Sequence, residues 1–248
     1  MLHCLDSEGD KIMRQFKDIL AQAAERKGGS AALEQILAET PSRPPAEIAA
    51  TPDDRILAEI TRRIFYAGFS WKVVDDKWPA FEQGFFGFDP NACAFMTEAQ
   101  FDTLMQDRGI VRNGAKIKSV QLNAQFLLDR KAEHGSAARF FAEWPDSDYV
   151  DLLDVLKKRA SHLGGDAAGR FLRAIGKPAF IATTDMVAAL IREGVIDQKP
   201  SGKRDLAVVQ AAFNQWSEES GRDLTAISRV LAMSIGSEGH APAHGRRH

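Results

Sequence analysis

The stretch from Thr97 to Leu128 constrains the fold most, because it predicts two helices joined by a tight turn. Thr97 is followed three positions later by Gln100, which is the capping-box pattern for the start of a helix. Apolar residues then recur at helical spacing as far as Asp107, and Gly109 is expected to end this helix. A second periodic apolar run follows the turn. The stretch therefore predicts helix, turn and helix.

The turn carries glycines and basic residues that suit a nucleic-acid phosphate. Glycine permits positive φ and close approach of another backbone, and free N–H groups at a helix start attract anions. The turn resembles the helix-hairpin-helix element of DNA repair glycosylases, although a plain αα-hairpin would show the same pattern. The candidate residues for binding a DNA backbone are Gly109, Arg112, Asn113, Gly114 and Lys116.

Charge and composition exclude several classes of protein. The formal net charge of −2 and a pI near 6.3 argue against a protein that coats nucleic acid non-specifically. A local basic surface can still face phosphates. Cys4 and Cys93 are expected to be unpaired, and no apolar run could span a bilayer, so we expect a protein of the reducing cytoplasm. We also expect a monomer. Nucleotide-binding glycine motifs and C-x-x-C pairs are absent, so no cofactor is expected.

Three segments are predicted along the chain. Residues 1–50 are predicted to form an N-terminal helical extension. The proline-rich stretch from Thr40 to Pro45 is a stiff break in the second half of this extension. Residues 51–235 form the main helical domain. Residues 236–248 are small, polar and basic without periodicity, so they are expected to be a disordered tail.

Four segments together carry a resemblance to a known family. The sequence has A-G-F-S-W at 67–71, F-D-P at 88–90, the hairpin stretch at 97–128 and a matching segment at 180–197. In this order and spacing they resemble the DNA-3-methyladenine glycosylase I family. The resemblance implies an all-α, helix-hairpin-helix DNA glycosylase-like fold, with two helical lobes around a DNA-facing cleft. It also implies a hydrolase that acts on double-stranded DNA containing a damaged base.

The sequence departs from that family at its pocket. Arg63 stands where the family has a glutamate, four residues before the A-G-L-S-W motif. Phe65 and Tyr66 replace two glutamines. The family also holds a zinc ion with cysteine and histidine ligands, of which only Cys4 has a counterpart here, so no metal site is expected.

The resemblance places Trp71 in the base pocket, together with its neighbours Tyr66 and Phe65. An indole face is a good platform for a flipped purine, particularly a cationic one. The alternative for Trp71 is a core tryptophan packed under the Ala67–Gly68 turn. Helical spacing indicates that Phe65 or Tyr66 belongs to the core.

A carboxylate is expected in the catalytic role, because glycosidic hydrolysis passes through an oxocarbenium-like sugar. Asp185 is the first candidate, because the short motif around it resembles that of the wider helix-hairpin-helix glycosylase superfamily, which has its catalytic aspartate at the start of a helix downstream of the hairpin. Its alternative is a helix N-cap. Glu59 is the second, although a salt bridge to Arg63 at i,i+4 is favoured. Asp129 is third, with a solvated helix end as its alternative.

The predicted function is base excision by a monofunctional glycosylase that removes an alkylated purine such as 3-methyladenine after base flipping. A non-catalytic damaged-DNA-binding module of the same fold is the alternative. A helical interaction protein with no role on DNA stays open as a third hypothesis, because the charge balance is acidic.

Overall fold

The computed structural model describes residues 13–236, and all regular secondary structure in that range is helical. The predicted all-α class is therefore confirmed. None of the helices in this range combines the length and the apolar character needed to cross a membrane. Cys4 and the predicted tail from residue 237 onward lie outside the described residues. The helices are α1 (Phe16–Arg26), α2 (Ser30–Ala38), α3 (Pro45–Ala49), α4 (Asp53–Tyr66), α5 (Trp71–Asp76), α6 (Trp78–Gly84), α7 (Pro90–Ala94), α8 (Glu98–Gln106), α9 (Gly114–His134), α10 (Ala137–Glu143), α11 (Tyr149–Arg159), α12 (Asp166–Ala174), α13 (Thr184–Arg192), α14 (Lys203–Ser220) and α15 (Leu224–Ser234), with 3-10 turns at Phe86–Phe88 and Asp146–Asp148.

The described chain divides into two compact units. The first unit contains residues 13–40, 182–222 and 226–236, and the second unit contains residues 41–181 and 223–225. The first unit therefore joins helices from both ends of the chain, whereas α3 to α12 lie in the second.

The core of the second unit is built around α4. Its apolar residues follow the 3.6-residue period, so Ile56, Leu57, Ile60 and Ile64 are buried on one face. That face packs against α9 and α12. As a result α4 is held firmly along its length, and its C-terminal end has a defined position.

The predicted helix, turn and helix are present as α8 and α9. Thr97 and Gln100 form the capping box at the start of α8. Asn113 caps α9, because its side chain accepts a hydrogen bond from the Lys116 N–H at 3.1 Å. α9 continues to His134, so Asp129 lies inside this helix rather than just after it.

The expectation that the two hairpin glycines supply positive φ is wrong. Neither Gly109 nor Gly114 is among the glycines with positive φ. Gly109 is instead closely packed, since a Cβ there would lie 2.9 Å from a carboxylate oxygen of Asp107 and 3.0 Å from the Cβ of Ala80. A Cβ at Gly114 would meet Met105 at an ordinary 3.5 Å.

A buried ion pair joins the residues before α1 to the C-terminal end of α13 in the first unit. The Glu193 carboxylate, at the C-terminal end of α13, accepts hydrogen bonds from the Arg14 guanidinium at 2.6 and 2.8 Å. The indole N–H of Trp216 on α14 donates to the backbone carbonyl of Arg14 at 3.1 Å. These contacts fix the residues that precede α1 against α13 and α14.

Candidate functional site

The candidate site of the second unit begins where α4 ends. Ala67 has an extended backbone, and Gly68 then adopts a φ of 83°, which favours glycine. This turn delivers Trp71 to the first position of α5. Trp71 is 59% exposed, so the alternative of a core tryptophan does not hold.

Trp71 stacks on Tyr66, the last residue of α4. The ring centroids are 5.4 Å apart and the planes are inclined by 21°. The Tyr66 hydroxyl donates a 2.5 Å hydrogen bond to the Asp75 carboxylate on α5. Burial and this hydrogen bond raise the pKa of Tyr66 to about 12. We call the Tyr66 and Trp71 pair the aromatic platform.

Phe65 is the core member of the adjacent pair. Its side chain is fully buried and packs edge-on against Phe81, with ring centroids 4.7 Å apart. It therefore presents no surface on which a base could stack. Phe65 is therefore the core member that helical spacing indicated for one of the two residues, and its assignment to base binding is not supported by its burial.

Arg63 and Glu59 form the predicted i,i+4 salt bridge. The Arg63 Nε donates to the Glu59 carboxylate at 2.5 Å, and both side chains are partly buried. The Arg63 guanidinium also lies 5.4 Å from the centre of the Tyr66 ring. A cation that is neutralised by its own carboxylate thus stands beside the aromatic platform.

Lys116 extends from the first turn of α9 to the end of α4. Its ammonium group donates to the Ile64 carbonyl at 2.8 Å and to the Ala67 carbonyl. It lies 4.7 Å from the centre of the Phe69 ring and 5.7 Å from that of Phe65. Burial lowers the pKa of this amine. Here Lys116 binds protein carbonyls.

The other hairpin residues have distinct positions. Arg112 is exposed just before α9 and makes no hydrogen bond or ion pair within the described range. Asn113 acts as the N-cap, and the Gly109 N–H donates to the Asp107 carboxylate at 2.6 Å. Arg112 is thus a hairpin cation whose charge is available at the surface. The backbone-binding roles of all five residues remain predictions.

Asp185 belongs to the first unit. Thr183 is the N-cap of α13, and its hydroxyl accepts from the Met186 N–H at 3.3 Å, so the N-cap alternative for Asp185 is wrong. The Asp185 side chain is exposed in the first turn of α13 and has no hydrogen-bond or ion-pair partner among residues 13–236. Its catalytic role remains a prediction.

Two residues at this site were not predicted from the sequence. Asp75 orients Tyr66, and its i,i+4 spacing from Trp71 on α5 was the available signal. Lys77 donates to the Arg108 carbonyl at 2.6 Å, so it holds the hairpin turn. Nothing in the local sequence of Lys77 indicates that contact, because its partner lies 31 residues away.

The described residues do not fit a zinc site. Between residues 13 and 236, no three His, Cys, Asp or Glu side chains are grouped closely enough to hold a metal ion. Cys93 is free and buried, and burial raises the pKa of its thiol to about 12, far from the range of a ready thiolate ligand. Cys4, the remaining cysteine, lies outside the described residues.

Comparison with known sequences links this site to one family. A model described as methyladenine glycosylase matches residues 49–162, the region that holds the platform and the hairpin. A DNA-3-methyladenine glycosylase of Haemophilus influenzae is 37% identical over 62 residues, which are 25% of this chain and 34% of that protein. The chain thus matches about a third of the length of this curated relative.

Solved structures of similar proteins were also found. One is a 3-methyladenine DNA glycosylase I with 28% identity, a TM-score of 0.45 and coverage of 51% of this chain and 80% of that chain. Another, from Staphylococcus aureus, has 21% identity, a TM-score of 0.47 and coverage of 64% and 91%.

Proposed function

We propose, from the match of residues 49–162 to the methyladenine glycosylase family model, that this protein is a DNA glycosylase that removes an alkylated purine from double-stranded DNA. The observation that carries the proposal is the aromatic platform, with Trp71 exposed on Tyr66 and Tyr66 held by Asp75. A flipped base would stack on the outer face of Trp71.

The platform is suited to stacking because it is both exposed and rigid. Tyr66 is fixed by its bond to Asp75, so little conformational freedom is lost when a base stacks on Trp71. Stacking of a base on an aromatic side chain is worth ~1–3 kcal/mol. A purine that carries a methyl group and a positive charge would also be attracted to the indole face.

The chemical step requires water and a carboxylate. The C1′–N bond breaks with its electron pair leaving on the base, the sugar becomes oxocarbenium-like, and water adds to C1′ and loses a proton. A cationic alkylated purine is an activated leaving group, so one carboxylate near C1′ would be enough. The products are the free base and an abasic site, as expected of a monofunctional enzyme.

Asp185 remains our first candidate for that carboxylate. It is exposed and unpaired within the described range, whereas Glu59 is held by Arg63 and Asp75 by Tyr66. A carboxylate that is already engaged is less available to stabilise a developing cation. Glu59 is the second candidate, and using it would require its salt bridge to open.

The start of α9 is proposed to bind the DNA backbone. The first N–H groups of a helix lack intrahelical partners, and the positive end of the helix dipole favours a phosphate. Arg112 adds an exposed cation beside them. Contacts of this kind fix the register of a protein on a duplex without reading its sequence.

One observation favours a second candidate function. Arg63 and Glu59 form an ion pair beside the platform, so the Glu59 carboxylate is not free to stabilise a developing positive charge. A protein that recognises damaged bases through the same platform without cutting the glycosidic bond would have this arrangement. This second candidate is a non-catalytic damaged-DNA-binding module.

Release of free base from alkylated duplex DNA separates the two functions. The proteins to compare are the wild type, Asp185→Asn, Trp71→Ala and the control Phe95→Ala, which removes a 73% exposed aromatic ring from the second unit. A glycosylase releases base, loses that release in Asp185→Asn and retains it in Phe95→Ala. Lesion-dependent binding without release identifies the binding module, and the absence of lesion dependence contradicts both.

A further inference from the structure

The end of α4 needs a partner for its carbonyl groups. The last carbonyls of a helix have no N–H within the helix, and the negative end of the helix dipole lies there. At α4 this partner comes from α9, since the Lys116 ammonium binds the carbonyls of Ile64 and Ala67. These residues are 52 and 49 positions away in the sequence.

Lys116 also contacts the turn that leads to the platform. Its ammonium lies over the ring of Phe69, which is in the turn itself, and near the buried ring of Phe65. Ala67 and Phe69 are therefore both fixed by one side chain. The turn ends at Trp71, so the direction in which α5 begins depends on the same contact.

The neighbouring cations behave differently. Lys118, two residues further along α9, bonds to Gln121 on its own helix and is exposed. Arg112 is exposed without a described partner. Lys116 is half-buried against two carbonyls, and this burial lowers the pKa of its amine.

We propose that Lys116 is a positioning residue, which holds the Ala67–Ser70 turn so that Trp71 is presented for stacking, and that it does not bind a phosphate. This inference rests on the proposed function for its role in base recognition. It replaces the earlier assignment of Lys116 to the DNA backbone, and leaves Arg112 as the hairpin residue expected to contact phosphate.

The first test uses the wild-type chain, first without DNA and then with duplex DNA added. Acetylation of lysines followed by mass spectrometry should modify Lys116 more slowly than the exposed Lys118 on the same helix. Addition of duplex DNA should leave the rate at Lys116 unchanged. Rapid acetylation of free protein, or protection that appears only with DNA, would overturn the proposal.

The second test compares variants. In Lys116→Met, hydrogen exchange should become faster in the segment 64–74, and Lys116→Arg should restore slow exchange. Arg112→Gln should leave exchange in this segment unchanged. Unchanged exchange in a folded Lys116→Met protein would contradict a positioning role, and this readout needs no DNA activity.

Salt dependence of DNA binding provides the functional contrast. Each lost phosphate contact reduces the slope of log K against log salt by ~0.9. Arg112→Gln should show that reduction, whereas Lys116→Met should weaken lesion-specific binding with an unchanged slope. An equal fall in slope for both variants would contradict our proposal. If the wild type binds no DNA, the proposed function fails, and the acetylation and exchange measurements still test Lys116.

Discussion

Glu193 is the buried charge whose removal should be most costly to the first unit. Its side chain has no exposed surface, and its carboxylate accepts hydrogen bonds from Arg14 at 2.6 and 2.8 Å and from Arg192 at 2.7 Å. Arg192 in turn donates to the Ser234 carbonyl and hydroxyl at 2.9 and 2.8 Å. The Glu193 carboxylate therefore links the residues before α1 to α13 and, through Arg192, to α15.

The substitution Glu193→Gln keeps the shape and removes the charge. Breaking a buried ion pair by removing one partner costs ~3–5 kcal/mol. Both arginines retain contact with water, with 41% and 27% of their side chains exposed, and the amide keeps one acceptor oxygen. We therefore expect a loss of about 2 kcal/mol in the free energy of unfolding at neutral pH, which is below that range.

The pH dependence gives an independent check. Burial alone would raise the pKa of Glu193, but hydrogen bonds from Arg14 and Arg192 outweigh it and hold the pKa below the ordinary value of 4.5. Because the folded-state pKa is depressed, the stabilisation is present above 4.5 and is lost as the pH falls through the folded-state value. The difference between wild type and Glu193→Gln should shrink in that acidic window.

Chemical denaturation followed by circular dichroism measures both effects. Glu218→Gln is the matched control, because this α14 glutamate is exposed and has no partner in the described part of the chain. It should change stability by less than ~0.5 kcal/mol. The reasoning is refuted if Glu193→Gln is as stable as that control at neutral pH, or if its deficit is independent of pH.

Two further predictions concern the second unit. Gly109→Ala should destabilise the protein by ~1–3 kcal/mol through overpacking. Gly114→Ala should be nearly neutral, because its Cβ has an ordinary contact distance. Equal midpoints of the two variants in denaturant would contradict this difference. A spectrophotometric titration should show no tyrosinate near pH 10, because burial and the bond to Asp75 raise the pKa of Tyr66 to about 12 and burial raises that of Tyr149 further. The neutral Tyr66 thus stabilises the fold below the unfolded value of 10, and that contribution is lost as the pH rises towards about 12.

Local sequence rules predicted the elements that depend on local contacts. The capping box at Thr97 involves residues three positions apart, and the Arg63–Glu59 pair involves residues four apart on one helix. Both follow from the geometry of a single helix turn, and both are present. The burial of the α4 stripe follows from the same periodicity.

Contacts between distant segments could not be predicted in this way. Lys116 was assigned to phosphate because it stands among basic residues at a helix start, yet its ammonium binds carbonyls about fifty residues earlier in the chain. Gly109 was expected to permit a positive φ or a close approach of another backbone, yet what lies close to it is the side chain of Ala80 on α6. Residue type and local pattern were correctly observed in each case. The partner that decides the role is supplied by tertiary packing.

The difference between an enzyme and a damaged-base reader depends on charge more than on shape. The platform of Trp71 and Tyr66 would accept a base in either case, since stacking needs only an exposed and fixed ring. Cleavage additionally needs a negative charge where the sugar becomes positive. Arg63 and its partner Glu59 contribute no net charge near the platform. Catalysis therefore requires a carboxylate free of such pairing, and this requirement makes Asp185→Asn the variant that best separates the two functions.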